Sequence, residues 1–340
     1  MKKTMQLLAL MLCVACGGQS GDTSTIVEPV EVTGAPAVAQ ASSFDYMPAD
    51  TFGYVEVSVA RGLSSPYFGM IRDASDQSFT PEQRTVRDSA IALAELVDQV
   101  YLSFGRNDSG TNLEPGIAVV EGRFTLQNVI DFVAVVEPSD VPQRVQVGSF
   151  EAITVDDVTM INIGGGRFLF GPTARCTALA LNPPRSGFHT RPFFTEAEGR
   201  IDAEAIFRVI SERPPGVASL DRDINSELGE GTAAQIRGGS FSADAIDGAR
   251  FRAAGLTADV ATAQAIEAKL NELRQMALQQ PMLNAFGLRS IVEAINISSD
   301  ASGVFASLDI SDAEVRRLFQ MGMGLLNMGA ASATTATPAP

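Results

Sequence analysis

Apolar and polar positions set out a series of short elements along the chain. Tyr54, Val55, Val57 and Val59 predict a strand over 52–59, entered through Phe44-Asp45-Tyr46-Met47-Pro48-Ala49-Asp50-Thr51. Helices are predicted over 65–77 and 81–98; in the second, Val86, Ala90, Leu93, Ala94 and Val97 recur at helical spacing and form one apolar stripe. Strands follow over 99–105 and 115–123, with a turn over 107–110. Thr125 then caps a helix that runs to Val136 and carries Leu126, Val129, Ile130 and Val133 on its inner face. Strands over 144–155, 160–163 and 167–171 and a short helix over 173–181 complete this part.

The order then recurs. A strand over 203–211 leads to a hairpin of 233–244 and 249–257 that turns at Ile246-Asp247-Gly248. A helix over 261–279 holds Ile266, Leu270, Leu273 and Ala277 on one stripe. Strands over 292–298 and 303–309 precede a last helix opened by Ser311-Asp312-Ala313-Glu314, a capping-box pattern. These elements predict an α+β fold of two similar halves, 44–190 and 191–328, each of antiparallel strands with packed amphipathic helices. The duplication is inferred from element order rather than from residue identity.

The two ends read differently. Between Gly17 and Ser43 the chain is mostly Gly, Ser, Thr, Ala, Pro, Val and Glu without an amphipathic period, which predicts a flexible tether; 329–340 reads the same way. Ahead of the tether, Lys2 and Lys3 precede an apolar run from Met5 to Ala15, too short to cross a bilayer. It closes on Cys13-Val14-Ala15-Cys16. A redox C-x-x-C sits at the start of a helix on a folded scaffold, and no scaffold precedes this one. The stretch resembles the signal of bacterial lipoproteins, with Cys13 where that family usually has leucine. The resemblance implies that 1–15 are removed, that Cys16 is lipidated, and that two or three acyl chains hold the protein on a membrane at about 0.8 kcal/mol per buried methylene. Gly17, in place of an aspartate, implies the outer membrane, facing the periplasm or the cell surface. Plain secretion is the alternative reading of this segment.

Within the body, Pro48-Ala49-Asp50-Thr51, the following 52–60 segment, Ser65-Pro66-Tyr67-Phe68, the 119–124 stretch and Phe150-Glu151-Ala152-Ile153 loosely resemble a set of uncharacterised secreted bacterial proteins. That likeness implies no activity. The net charge of −15 argues against nucleic acid as a partner, because such binding rests on cationic neutralisation of phosphate. Three cysteines, one of them in the signal and one acylated, leave Cys176 without an intrachain partner, so a hydrophobic core must stabilise the fold.

Candidate chemistry is sparse. His189 is the only histidine, which rules out a histidine-rich zinc site; a site with Cys176 would need two carboxylates as well. Cys176 lies beside Arg175 but reads as a buried structural thiol. Gly164-Gly165-Gly166 runs into a strand without a lysine, so it reads as a hairpin turn and not as a phosphate loop. Asp156-Asp157 and the Asp221, Asp223 pair lack the spacing of a calcium loop and read as solvated turns. Carboxylate pairs for glycoside hydrolysis cannot be singled out, and without Trp no aromatic sugar platform is available. Met321, Met323, Leu325, Leu326 and Met328 form either a packed helix face or an adaptable apolar groove.

The sequence thus predicts a lipid-anchored envelope protein, lipidated at Cys16, with no catalytic residues, metal or cofactor, acting as an interaction or scaffold module. The membrane, through the acyl chains, and an envelope protein are the expected partners. The alternatives are a carrier or sensor of an apolar ligand and, third, a cryptic envelope enzyme.

Overall fold

The computed structural model describes residues 42–106, 113–184, 187–214 and 218–333. Cys13, Cys16, most of the tether, the turn over 107–110 and the last seven residues lie outside them, as do the side chains of Asp223, Met323, Leu325, Leu326 and Met328.

In the first half, β1 (Gly53–Ser58) is followed by α1 (Val59–Leu63), α2 (Pro66–Ser78) and α3 (Pro81–Ala94). Strands β2 (Val97–Arg106) and β3 (Leu113–Gly122) lead into α4 (Leu126–Val136). Two hairpins, β4 (Gln143–Val147) with β5 (Phe150–Val155) and β6 (Val158–Gly164) with β7 (Arg167–Pro172), precede α5 (Thr173–Leu181). A link through α6 (Pro192–Glu198) enters the second half, where β8 (Phe207–Glu212) is followed by α7 (Ala218–Leu228) and α8 (Thr232–Gln235). The hairpin β9 (Ile236–Asp244) with β10 (Ala249–Thr257) leads into α9 (Val260–Leu278). Then come α10 (Pro281–Ala285), α11 (Arg289–Ala294), β11 (Asn296–Ser299), β12 (Gly303–Ile310) and α12 (Asp312–Ala333).

The fold is α+β, and all the strands among the described residues join one antiparallel sheet in the order β11-β12-β10-β9-β8-β1-β2-β3-β7-β6-β5-β4. Each half contributes strands in the same order outward from the β1–β8 junction, and this junction has a two-fold register. Val55 lies opposite Val209, while Gly53 faces Ser211 as Val57 faces Phe207. Matching strands therefore pair with each other across an axis normal to the sheet, and matching residues keep the same face.

The apolar alternation determines what covers each face. On the back, Val55, Val57, Val100, Val120, Met160 and Phe168 pack under α3 and α4, which contribute Leu93, Val129, Phe132 and Val133. On the front, Tyr54, Val119, Ile161 and Leu169 pack under α5 and α6, through Cys176, Ala180, Phe194 and Ala197. Thr125 caps α4 in a capping box with Asn128, as the sequence predicts. No helix among the described residues is long and apolar enough to cross a membrane.

Several boundaries differ from the sequence reading. The helix predicted over 81–98 stops at Ala94, because Val97 is already opposite Gly122 in the sheet. The strand predicted over 144–155 is a hairpin, broken at Gly148, where φ is +60°. The strand predicted over 292–298 begins at Asn296, because 292–294 still belong to a helix, Arg289–Ala294, which carries an Arg289–Glu293 pair at 2.8 Å one turn apart. The strand predicted from 203 begins at Phe207, because the Asp202 carboxylate accepts from the Glu204 N–H at 3.0 Å and turns the chain first.

Candidate functional site

The two halves diverge most at the front of the sheet. Tracing the pairing outward from Val55 and Val209 makes Leu102 match Phe241, Ala118 match Ala253, Phe170 match Ala306 and Met160 match Ile297. On the front, Leu169 then corresponds to Phe305 and Ile161 to Ser298. In the first half both are 0% exposed beneath α5. In the second half Phe305 is half-buried and Ser298 exposed. The helix that follows β12 does not return over the sheet as α5 does after β7. Instead α12 starts against α2, where the Tyr67 hydroxyl donates to Asp312 at 2.8 Å and accepts from the Gly248 N–H at 3.0 Å. Arg317 of α12 also donates to the Gly287 carbonyl, between α10 and α11, at 2.8 Å.

The strands left open form the floor of a cleft of about 290 Å³, lined by Gly199, Arg200, Arg252, Asn296, Phe305 and Ser307 among others. Gly199 and Arg200 end α6 and form its wall. The Arg200 guanidinium lies over the Phe305 ring, 4.6 Å from its centre, and is held there by Asp300 at 2.8 Å and the Ser302 hydroxyl at 2.6 Å. The Ser302 backbone N–H, then its hydroxyl and Arg200, keep Asp300 below the usual carboxylate range. Arg252 pairs with Asp309 at 2.8 Å. The cleft therefore presents one aromatic face, two fixed guanidiniums with exposed carboxylate partners, and small polar side chains. Such a surface can bind by stacking and hydrogen bonding.

A half-buried polar stripe lies on the same face near the two-fold. Arg208 and Glu56 pair at 2.9 Å, and Gln99 donates to Glu56 at 2.6 Å. Burial raises the Glu56 carboxyl above its ordinary range, and Arg208 and Gln99 only partly offset this. The Tyr54 hydroxyl donates to Glu198 of α6 at 2.6 Å; burial first, and then that carboxylate, raise its pKa.

The side chains singled out from sequence are scattered. Cys176 is 0% exposed in α5, and burial pushes its thiol up to about 12. His189 stacks on Phe44 at 4.8 Å, with its Nδ1 buried and without a hydrogen-bond partner. No hydrogen bond joins Cys176 to His189, and no group of three metal-ligating side chains occurs among the described residues. Gly164, Gly165 and Gly166 turn the β6–β7 hairpin with φ of +86°, +64° and +72°. Asp156 and Asp157 turn the β5–β6 hairpin. Asp221 pairs with Arg213 at 2.6 Å.

None of the cleft residues stands out in the sequence. The available signal is the repeat itself: Met47-Pro48-Ala49-Asp50-Thr51-Phe52 aligns with Ile201-Asp202-Ala203-Glu204-Ala205-Ile206 ahead of the matching strands β1 and β8. The offset of that alignment does not hold through the second half, and only the strand pairing sets the polar 296–307 stretch against the apolar 159–171 stretch.

No protein-family model and no curated protein sequence matches the chain. Among solved structures it is similar to TP0453 in crystal form I, with a TM-score of 0.43, 9% identity and coverage of 84% of this chain and 98% of that one. Crystal forms III and IV of TP0453 give TM-scores of 0.45 and 0.46 at 8% identity, each covering 82% of this chain and 97% and 96% of theirs.

Proposed function

We propose that this chain is a non-enzymatic protein of the cell envelope, anchored by acyl chains on Cys16 to the outer membrane, and that it binds another macromolecule through the open front of its second half. The observation that carries this reading is the contrast between the halves. The first half seals its front with apolar side chains and α5, whereas the second replaces Ile161 and Leu169 by Ser298 and Phe305 and leaves them accessible. An aromatic ring under an arginine, surrounded by small polar groups, is the composition of a contact surface and not of a buried core. Photocrosslinking residues placed at Ser298 and Ser307 in living cells are expected to give a discrete adduct, lost on Phe305→Ser, while one at Gln127 on α4 gives none. Absence of any adduct from the two cleft positions would overturn this reading. In the same cells Cys16→Ser is expected to move the protein out of the membrane fraction.

A second reading, a carrier of an apolar ligand, is favoured by one feature of the back face. Phe207, Phe241 and Phe251 form a half-buried row, with ring centres 6.3 Å apart at each step. Native mass spectrometry of gently purified protein tests it: a co-purifying lipid lost on Phe241→Asp supports the carrier.

A further inference from the structure

The second half also stops short of the first at its outer edge. In the first half β6 is continued by β5 and β4, whereas the matching strand β11 ends the sheet. Where the first half inserts the β4–β5 hairpin, the second has α10 and α11.

The hydrogen-bond phase of β11 can be read from its turn. The Asp300 N–H donates to the Gly303 carbonyl at 2.9 Å, so Ser298 and Asn296 exchange bonds with Phe305 and Ser307 of β12. Ile297 and Ser299 then turn their N–H and C=O groups outward. Ile295, in the same phase, has its carbonyl taken by Arg274 of α9. Natural sheets blunt such an edge by keeping it short or with Lys, Pro or a bulge. Asn296-Ile297-Ser298-Ser299 is short, at four residues, but has no Lys, Pro or bulge and pairs with β12 without a register shift. Along the back of the edge α9 places Glu267, bonded to the Ser299 hydroxyl, at one end and Arg274 at the other. The Arg274 Nε is buried without a hydrogen-bond partner.

We propose that β11 accepts an extended segment of a partner polypeptide as an additional antiparallel strand, with a carboxylate side chain of the guest beside Arg274. The proposal rests on the open-front reading and specifies how the partner is held. Its chemistry follows from the strand that occupies the matching edge. In the first half Ile153 of β5 lies opposite Met160 and Ala152 opposite Ile161; the counterparts are Ile297 and Ser298. A guest therefore sets an apolar residue opposite Ile297, on the α9 side, and a small one opposite Ser298, beside the cleft. Main-chain bonds supply the affinity and this alternation supplies the selection. Glu151 of β5 would fall opposite Ser299, next to the Glu267 carboxylate, so a neutral residue fits better there. The acidic pair after Val155 would fall at the Arg274 end.

The probe is a fluorescent peptide of residues 150–157 with Glu151→Thr, titrated into the full chain. Saturable binding is expected, with slowed hydrogen exchange at the Ile297 and Ser299 amides. N-methylation of the peptide amides that face β11 leaves the side chains intact and is expected to abolish binding. Ile297→Pro removes an outward donor without touching the β12 ladder and is expected to weaken binding by roughly ten-fold or more, with unchanged circular dichroism. Arg274→Glu is expected to weaken this peptide and to favour one ending in two lysines. No saturable binding, equal binding of the N-methylated peptide, or protection away from β11 would overturn the proposal. A dimer of the chain that Ile297→Pro dissociates would overturn the choice of guest. Crosslinking from Ser307 that persists when the peptide fails would leave the open front standing and remove only strand addition.

Discussion

At the scale of single residues, Asp244 at the end of β9 is a buried charge held by two arginines. Its side chain is 1% exposed and receives Arg61 through both oxygens at 3.0 Å each and Arg250 at 2.8 Å. Burial alone would raise its pKa, but the hydrogen bonds from the two arginines outweigh it and hold the carboxyl below its ordinary 3.8. A depressed carboxylate contributes stability that is present above its unfolded pKa and lost as pH falls through the folded value. Asp244→Asn is therefore expected to cost about 1–2 kcal/mol at neutral pH, because the charge-assisted bonds from two partly exposed guanidiniums become neutral ones. Denaturant titrations should also show a flatter acid limb below about pH 4, since the variant has no carboxylate left there to protonate. A variant with unchanged stability at neutral pH would show that Asp202, 3.6 Å from Arg250, takes over the pairing. Arg61 lies in α1 of the first half and Asp244 in the second, so this pair also joins the halves beside the sheet.

At the scale of elements, the glycine turn between β6 and β7 separates backbone need from side-chain room. A Cβ on Gly166 would sit 2.8 Å from the Gly122 carbonyl oxygen at φ of +72°, whereas one on Gly165 would meet only the movable Arg167 side chain at 3.3 Å. Gly166→Ala is expected to destabilise by about 2 kcal/mol, and Gly165→Asn, which tolerates the left-handed conformation, by well under 1 kcal/mol. Urea midpoints of the two variants check the contrast. This turn was legible in sequence because three glycines before a strand leave few alternatives. The α4 stripe was legible too, since Thr125 and a sustained helical period agree. The sequence misled where elements are short: the strand predicted over 292–298 takes in Val292, a strand former by composition, yet tertiary placement keeps 292–294 in a helix. The cleft was not legible at all. Arg200, Arg252 and Phe305 are ordinary residues until the sheet places them together, and only the comparison of matching strands marks them out.

At the scale of the whole molecule, the duplicated halves share a core instead of each closing its own. The front cluster that buries Tyr54, Val119 and Leu169 also contains Phe193, Phe194, Ala197 and Ile210, all beyond the predicted boundary at 190. Tyr54 stacks on Phe194 at 6.0 Å and donates to Glu198, and Glu56 relies on Arg208 across the β1–β8 junction. Residues 42–190 expressed alone would leave β1 as an unpaired edge, strip α6 from the front core and expose Tyr54 and its apolar neighbours to water. Each loss is severe, because an uncovered apolar strand edge invites association and a large aromatic side chain uncovered from a core loses about 1.5–3 kcal/mol of burial. Separately, 42–190 and 191–333 are therefore expected to show no cooperative thermal transition. Co-expressed, they should form a 1:1 complex with the circular dichroism of the intact chain, because the junction needs no covalent link between Thr190 and Arg191. Arg208→Ala in the second fragment should weaken that complex more than Arg252→Ala, whose carboxylate partner Asp309 lies within the same fragment. A monomeric 42–190 with a sharp transition of its own would show instead that the first half closes its core unaided, and that the β1–β8 pairing is a contact between two finished domains.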